Sequence, residues 1–363
     1  MADAEIDDAK RDGDCFTPSS APLPSRDYVL LISGTMNPPH IGHVRLGIKA
    51  AEKLCAEGHR VSAICYVPVH DNYLFNKVAF KQQSGEKTSL TDMIAFPMVE
   101  RCALLKSLIE REPSGLHTNV CHVLDYEHTE KVREVLAESP GYWAPKLPSG
   151  YLKTVPTTAL ITHFSEHSPM LVGGTKRLAI VFGIDNLAGM SSWNNPEALL
   201  SRADLVLLAR GLSSVEFGRD PSGLLSAVRH LEVKSAMPVI FGGRELFGGQ
   251  VGSFVNATAA ASEAALILLP PLDGQDEGLS STAIRSALSA RLDEDLTSKG
   301  SEAASGDALA ETLGAHGYPA SMSERIVETA SRGAAAVAAM GEEGKRRDEW
   351  VVPSVPVKRF KAS

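Results

Sequence analysis

The sequence predicts an α/β protein built on a doubly wound parallel sheet. Short runs rich in Val, Ile and Leu recur along the chain, and segments with helical periodicity separate them. The runs are almost continuously apolar, which is typical of parallel strands covered on both faces. A length of 363 residues, with 44% hydrophobic and 22% charged residues, suits one large globular domain or two smaller ones.

Six runs are predicted to be strands, and five segments between them are predicted to be helices. The strands are Tyr28–Ile32, Val61–Val67, Val120–Leu124, Leu178–Phe182, Leu205–Ala209 and Ala265–Leu269. The helices are Val44–Cys55, Met98–Arg111, Glu130–Glu138, Pro196–Arg202 and Thr282–Leu292. The alternation of the two types indicates repeated β-α units.

The remaining stretches set the expected domain organisation. Residues 1–26 are polar and are predicted to form a disordered arm before a single domain at 27–335. Within that domain, residues 139–177 are rich in Pro, Gly, Ser and Thr and are predicted to be a long insertion loop. A basic tail is expected at 336–363, with one more helix before it that has Ser321 or Ser323 as its N-cap.

Two other segments are predicted to lack regular structure. Residues 242–255 carry five glycines and are expected to be a surface loop, while 295–306 are expected to be a polar linker. In the tail, Lys345-Arg346-Arg347 and Lys358-Arg359 have the spacing of a bipartite nuclear-import signal, with a merely solvated tail as the alternative.

Charge and cysteine content narrow the functional classes. A net charge of −8 argues against a surface that coats nucleic acid. The five cysteines form no Cys-x-x-Cys pair, which fits a reducing compartment without structural zinc. The sequence shows neither a secretory signal nor an apolar run of about 20 residues. We therefore expect a soluble protein of the nucleus or cytoplasm that does not bind membranes.

The segment SGTMNPPHIGH, residues 33–43, lies where the first predicted strand gives way to a helix. Ligands of open parallel sheets bind at such strand ends. Gly34 allows close approach of a phosphate, and the helix that starts near Ile41 presents unpaired N–H groups. His40 and His43 lie about one helical turn apart and can donate to phosphate oxygens. The turn is therefore predicted to bind a polyphosphate, with metal ligation or simple capping by the histidines as alternatives.

A second loop enters a helix at GLSSTAIRSAL, residues 278–288, after the last predicted strand. Ser280, Ser281 and Thr282 place three hydroxyls beside the N–H groups of the helix start. Arg285 follows one turn later and can fork onto phosphate oxygens. A Ser/Thr cap with a surface arginine is the simpler alternative. Residues 33–43 and 278–288, however, are two helix starts with phosphate-binding donors (phosphate-type helix starts), and two of them in one sheet favour a shared ligand.

Together the two segments resemble a known family. Residues 34–43 are similar to the Gly-x-Phe-x-Pro-x-His-x-Gly-His signature of the HxGH nucleotidylyltransferases, with Met36 in place of the aromatic residue. Residues 279–285 resemble their Ile-Ser-Ser-Thr-x-Ile-Arg signature. Within that superfamily the closest resemblance is to nicotinamide or nicotinate mononucleotide adenylyltransferases, because FGIDNL (182–187), SSWNNPEALLSRADLVLLARG (191–211) and VPVHDNY (67–73) match further segments.

This resemblance implies a Rossmann-like nucleotidylyltransferase fold and a role for each matching residue. The residues implied in catalysis are His43, His40 and Arg285. Those implied in ATP binding are Gly34, Thr35, Met36, Gly183, Asp185, Ser281, Thr282 and, again, Arg285. Those implied in binding the mononucleotide are Asn37, Lys77, Tyr126, Trp193 and Arg210, with Trp193 and Tyr126 as stacking aromatics.

The implied reaction joins ATP to the 5′-phosphate of nicotinamide or nicotinate mononucleotide, and releases pyrophosphate. Mg²⁺ would bridge the phosphates, and no set of protein metal ligands is expected. Two alternatives stay open: a sister enzyme that uses another phosphorylated acceptor, and a non-catalytic nucleotide-binding or chaperone-like relative. A dehydrogenase is disfavoured because no Gly-x-Gly-x-x-Gly follows the first strand. The acidic balance disfavours nucleic acid as a partner, and the resemblance allows a homo-oligomer.

Overall fold

A six-stranded parallel sheet forms the centre of the structure. Its strands are β1 (Asp27–Gly34), β2 (Arg60–Pro68), β3 (Cys121–Val123), β4 (Lys176–Gly183), β5 (Ala203–Leu208) and β8 (Leu266–Leu269). They lie in the order β3-β2-β1-β4-β5-β8, and every neighbouring pair is parallel. The chain thus starts in the middle, winds to one edge and then to the other, which is the doubly wound arrangement. The predicted fold class is confirmed.

The structure is a computed structural model. It describes residues 25–83, 89–112, 118–126, 155, 157–171, 176–183, 186, 199, 201–208, 240–241, 244–245, 266–269, 279–297 and 303–343. Two further strands of two residues, β6 (Ile240–Phe241) and β7 (Arg244–Glu245), pair antiparallel in a separate ribbon.

Eight α-helices connect or cover the strands within these ranges. They are α1 (Ile41–Ala56), α2 (Asp71–Gln83), α3 (Leu90–Met93), α4 (Met98–Arg111), α5 (Thr157–His167), α6 (Ser281–Thr297), α7 (Ala303–Ala315) and α8 (Ser323–Glu343). All six predicted strands and the helices predicted at 44–55, 98–111 and 282–292 are present. The helix predicted at 130–138 lies outside the described residues, and of 196–202 only 199, 201 and 202 are described, as helix.

Both faces of the sheet are buried, as the continuous apolar runs predict. Along β1, Tyr28, Leu30 and Ile32 face a cluster that contains residues of α1, α4, α6, α7 and α8. The alternate residues Val29 and Leu31 point the other way and are completely buried as well. A strand with side chains packed on both sides has no polar face, which is why its sequence lacks alternation.

The prediction of a loop throughout 139–177 is wrong for part of its length. Residues 157–167 form α5, and Leu160, Ile161 and Phe164 on it are completely buried. Met170 follows the helix and places its sulfur 3.2 Å from the sulfur of Cys65 on β2. The Ser and Thr content averaged over a long window hid a short apolar helix that covers one face of the sheet.

Two other boundaries differ from the prediction. The linker expected at 295–306 is shorter, because α6 continues to Thr297 and α7 begins at Ala303. The tail expected from 336 begins later, because α8 runs to Glu343 and Val337 is buried against Val78 and Ala95.

At the amino end of the sheet, a buried carboxylate joins three strands. Asp204 on β5 is completely buried and accepts hydrogen bonds from Arg26 at 2.7 Å, Tyr28 at 2.8 Å and Arg177 at 3.0 Å. Arg26 therefore belongs to the ordered domain and not to the predicted arm, of which residues 1–24 lie outside the described part. Among the described helices, none is long and apolar enough to cross a membrane.

Candidate functional site

The site predicted from sequence lies at the carboxyl end of the central strand. β1 is flanked by β2 on one side and β4 on the other, so the chain reverses its winding direction at β1. Ligands of doubly wound sheets bind in the crevice at this reversal point. The turn that leaves β1, residues 35–40, is therefore where the topology places a ligand.

The turn after β1 holds an unusual backbone conformation. Met36 has a φ of 44°, in the left-handed region that side chains other than glycine rarely adopt, and its side chain is 1% exposed. The buried thioether of Met36 anchors the turn to the core. Methionine thus fills an apolar position with its side chain, in place of the aromatic residue of the signature. Backbone strain of this kind persists only where neighbouring groups hold it in place.

Two buried polar side chains hold the turn. Asn37 accepts a hydrogen bond from the N–H of Phe96 at 2.7 Å and donates one to the carbonyl of Ile94 at 2.8 Å. Arg101 on α4 is completely buried and donates to the carbonyl of Thr35 at 2.7 Å. The oxygen and the nitrogen of the Asn37 amide thus each have a backbone partner in the protein. The contact of Asn37 with the mononucleotide stays a prediction.

Arg101 also ties this turn to the end of β2. Its guanidinium donates to the carbonyl of Val69 at 2.7 Å and to the carboxylate of Asp71 at 2.6 Å, and its Nε donates to the carbonyl of Phe96 at 2.9 Å. A fully buried arginine is stable only when its charge and donors are satisfied in this way. Arg101 could not be predicted as a support of the site, because one arginine in an amphipathic helix has no local signature.

The start of α1 orients the two histidines of the first motif. His40 is the N-cap, and its backbone N–H donates to Nδ1 of His43 at 3.1 Å. The two rings lie 3.9 Å apart between centroids. A Cβ at Gly42 would come within 3.0 Å of the His40 ring and 3.3 Å of Leu279, so only glycine leaves room for the histidine there.

The hydrogen bond to His43 fixes its chemistry. Because Nδ1 accepts the N–H of His40, the neutral ring carries its proton on Nε2. His43 therefore offers an N–H donor at the far corner of the ring. An imidazole N–H can donate to an anionic oxygen.

The start of α6 lies directly against the turn after β1. Ser280 is its N-cap, and its hydroxyl accepts the N–H of Ala283 at 3.0 Å. The hydroxyl of Ser281 donates to the carbonyl of Pro38 at 2.7 Å. The N–H groups of Ser281 and Thr282 are in the first turn, where a helix offers them no carbonyl of its own.

Arg285 crosses from α6 to the turn. It donates to the carbonyl of Asn37 at 2.5 Å, to the carbonyl of Thr91 at 3.1 Å and to the hydroxyl of Thr282 at 3.2 Å. These bonds use three of the five N–H donors of an arginine. Burial lowers the pKa of Arg285, an effect partly opposed by Asp92, but a guanidinium stays charged at neutral pH.

The structure therefore brings together the predicted residues of the two motifs. Side chains of the second motif contact carbonyls of the first, Ser281 that of Pro38 and Arg285 that of Asn37. The rings of His40 and His43 lie next to each other at the start of α1. Gly34 and Gly183 end the central strands β1 and β4. Among the described residues, the side chain nearest to a Cβ added at Gly34 is that of Met36, 4.0 Å away, so a ligand has room to approach there.

Of the predicted mononucleotide residues other than Asn37, two lie on or beside neighbouring elements and two lie outside the described part. Lys77 is on α2, with its ammonium 5.5 Å from the centroid of the Tyr73 ring. Tyr126 follows β3, its hydroxyl is 2.6 Å from Nδ1 of His163 on α5, and burial raises its pKa to about 12. Asp185, Trp193 and Arg210 are outside the described residues, so their roles stay predictions.

The end of α7 contributes two residues that sequence reasoning missed. Gly317, with φ of 93°, ends the helix: its N–H donates to Gly314 and that of Tyr318 to Leu313, the paired bonds of a Schellman motif. This turn delivers His316 to the starts of α1 and α6, and places the Tyr318 hydroxyl so that it donates to the carbonyl of Pro39. The sequence feature that could have revealed this turn is the helix-ending glycine in His316-Gly317-Tyr318.

Comparisons with known proteins give similarity in structure alone. No family model and no curated protein matches the chain. A solved structure of Plasmodium falciparum nicotinic acid mononucleotide adenylyltransferase complexed with APC aligns at 12% identity and a TM-score of 0.44, over 85% of this chain and 97% of that one. The same enzyme complexed with NaAD aligns at 14% identity and a TM-score of 0.40, over 72% and 84%. At this level of identity, residue roles must come from the geometry of the site itself.

Proposed function

We propose that the chain transfers the adenylyl group of ATP to the 5′-phosphate of nicotinamide or nicotinate mononucleotide. The observation that carries the proposal is the contact between the start of α6 and the turn that leads into α1, made by Ser281 on the carbonyl of Pro38 and Arg285 on that of Asn37. The start of α1 adds the Nε2–H of His43, and the start of α6 adds backbone N–H groups. Donors on both sides of one crevice suit a triphosphate chain.

The reaction needs charge stabilisation and alignment more than proton transfer. An oxygen of the acceptor phosphate attacks the α-phosphorus of ATP, a new P–O bond forms, and the bond from the α-phosphorus to the bridging oxygen of pyrophosphate breaks. The nucleophile is already an anion, so no side chain has to act as a base. Catalysis then depends on donors that meet the charge on the transferred group and the leaving pyrophosphate.

Each side chain has a distinct part in this proposal. His43 donates from Nε2 to an oxygen of the α-phosphate, with His40 packed beside it. Arg285 and the N–H groups of Ser281 and Thr282 hold the β- and γ-phosphates. The N-terminal dipoles of α1 and α6 add positive potential at the same place.

Mg²⁺ enters the proposal with the nucleotide. The described residues contain no group of three or more His, Cys, Asp or Glu side chains that could hold a metal. The donors of the site are imidazole, hydroxyl, guanidinium and backbone N–H groups, which suit phosphate oxygens better than a hard cation. A Mg²⁺ ion held by phosphate oxygens and water fits this donor set, so ATP–Mg²⁺ is the substrate form to test.

The test is pyrophosphate release by the full chain with ATP–Mg²⁺ in five parallel reactions. Four contain an acceptor (nicotinamide mononucleotide, nicotinate mononucleotide, flavin mononucleotide or pantetheine phosphate), and the fifth contains none. We expect turnover with one or both pyridine mononucleotides and none without acceptor. Turnover with flavin mononucleotide or pantetheine phosphate alone would assign the chain to a sister activity. Absence of turnover with all acceptors, while ATP–Mg²⁺ still binds, would indicate a non-catalytic nucleotide-binding protein.

A further inference from the structure

His316 lies between the two helix starts and is bonded to both. Its carbonyl accepts the N–H of Ile41, the first residue of α1, at 3.0 Å. Its Nε2 accepts the N–H of Ser280, the N-cap of α6, at 3.2 Å. One residue directly after a third helix, α7, therefore fixes the beginnings of the two helices that carry the proposed phosphate site.

The tautomer of His316 is set by its other nitrogen. Nδ1 lies 2.7 Å from the carbonyl of Thr312, and a carbonyl can only accept, so Nδ1 carries the proton. Nε2 is then a lone pair directed at the N–H of Ser280. Loss of Nε2, or a proton on it, would break the hydrogen bond with the N–H of Ser280. The hydrogen bond from Nδ1 to the carbonyl of Thr312 would stay intact.

The packing around His316 restricts the movement of its side chain. The residue is 6% exposed, and its ring meets the His40 ring edge-on, with centroids 5.9 Å apart. A Cβ at the neighbouring Gly317 would lie 2.8 Å from Cβ of Ile41, so the α7 end and the α1 start are in van der Waals contact. His316 thus also limits where His40 can lie.

We propose that His316 is a positioning residue for adenylyl transfer, which holds the starts of α1 and α6 at the separation that a triphosphate requires. The inference rests on the proposed function for its catalytic consequence. His316 makes no contact with substrate in this proposal and acts through Ser280, Ile41 and His40. A shift of about 1 Å between such groups can lower turnover by about 100-fold.

Two substitutions separate the roles of the ring. His316→Gln keeps an acceptor at the ε position, which can receive the N–H of Ser280. His316→Asn keeps a donor at the δ position for Thr312 but has no atom that reaches Ser280. We expect kcat/KM for ATP–Mg²⁺ to fall about 10- to 100-fold in the Asn variant and to stay within about threefold in the Gln variant.

A buried histidine at the opposite end of the sheet provides the matched control. His59 accepts the N–H of Arg26 on Nδ1 and is 8% exposed. His59→Gln, which has no acceptor at the δ position, should lower thermal stability about as much as His316→Asn without changing the KM for ATP–Mg²⁺. In His316→Asn the KM for the mononucleotide should change less than about threefold, because the residue contacts only the phosphate-side helix starts.

Hydrogen exchange in the nucleotide-free full chain tests the bridge independently of activity. In His316→Asn, amide exchange at 278–284 and 40–44 should quicken by at least tenfold relative to the Gln variant. If the wild type is inactive with every acceptor, the proposed function fails, but this exchange difference still decides whether His316 holds the two helix starts. Unchanged exchange, or equal ATP kinetics in the Asn and Gln variants, would overturn the inference.

Discussion

At the scale of single residues, the site is made of side chains that hydrogen bonds within the protein hold in place. His43 uses Nδ1 to accept the N–H of His40, which leaves Nε2–H as a donor. Arg285 uses three of its donors on protein oxygens, so it is already oriented before any ligand arrives. Prior orientation of donors avoids reorganisation when charge develops.

Substitution of His43 by asparagine should remove the donor and keep the local structure. The δ oxygen of asparagine can still accept the N–H of His40, but no N–H reaches the position of Nε2. We expect kcat to fall by about 10²- to 10³-fold, which corresponds to about 2.7–4 kcal/mol for one lost donor. Steady-state kinetics with ATP–Mg²⁺ and nicotinamide mononucleotide measure the change.

His43→Gln is the matched control, because its amide nitrogen can reach the position of Nε2. The Gln variant should retain at least tenfold more turnover than the Asn variant, with similar unfolding temperatures for both. Near-normal turnover of the Asn variant would remove His43 from the proposed mechanism.

At the scale of elements, the site depends on helices far away in sequence. The segment 94–96 is held on one side by Asn37, and on the other by α8, where a Cβ at Gly333 would lie 1.9 Å from the carbonyl oxygen of Ala95. Helix and backbone therefore approach each other as closely as a glycine allows. The C-terminal helix thus supports the turn after β1 through one intermediate segment.

A methyl group at Gly333 should push α8 away from this segment. We expect Gly333→Ala to lower the free energy of unfolding by about 1–3 kcal/mol, as overpacking in cores does. The change is measured by urea denaturation of the full chain. Gly314→Ala is the control, since no described atom lies within 4 Å of its added Cβ and alanine favours helix by about 1 kcal/mol. Equal effects of the two substitutions would contradict this packing.

Helix positions show where the sequence was informative and where it was not. The helix at Met98–Arg111 was predicted to the residue, because its apolar residues repeat at helical spacing over four turns. α5 was missed because its burial comes from seven consecutive residues, 158–164, inside a stretch dominated by Ser, Thr, Pro and Gly. α7 was missed as a site element because contacts from His316 to α1 and α6 are long-range, and no local pattern encodes them.

At the scale of the whole molecule, the two ends of the sheet have different tasks. The carboxyl end holds the strained turn and both phosphate-type helix starts, whereas the amino end is locked by Asp204 with Arg26, Tyr28 and Arg177. The fold class, the strand positions and the residues of the two motifs could be predicted from sequence. The supports beneath them, Arg101 and His316 above all, could not, because each depends on neighbours brought close only by folding.

Substitution of Asp204 by asparagine should separate stability from function. An amide cannot neutralise the two partly exposed arginines, so we expect a loss of about 1–3 kcal/mol in the free energy of unfolding. The KM for ATP–Mg²⁺ should not change, because Asp204 is at the opposite end of β5 from the site. Chemical denaturation and steady-state kinetics on the same preparation test both halves, and a raised KM with unchanged stability would contradict this division.

The central claim is that one triphosphate lies between the starts of α1 and α6. A crystal structure of the full chain with a non-hydrolysable ATP analogue and Mg²⁺ tests it most directly. We expect an oxygen of the α-phosphate within hydrogen-bonding distance of Nε2 of His43, and the β- and γ-phosphates on Arg285 and the first N–H groups of α6. A triphosphate bound at any other place, or a separation of His43 and Arg285 too wide for one phosphate chain to reach both, would contradict the claim.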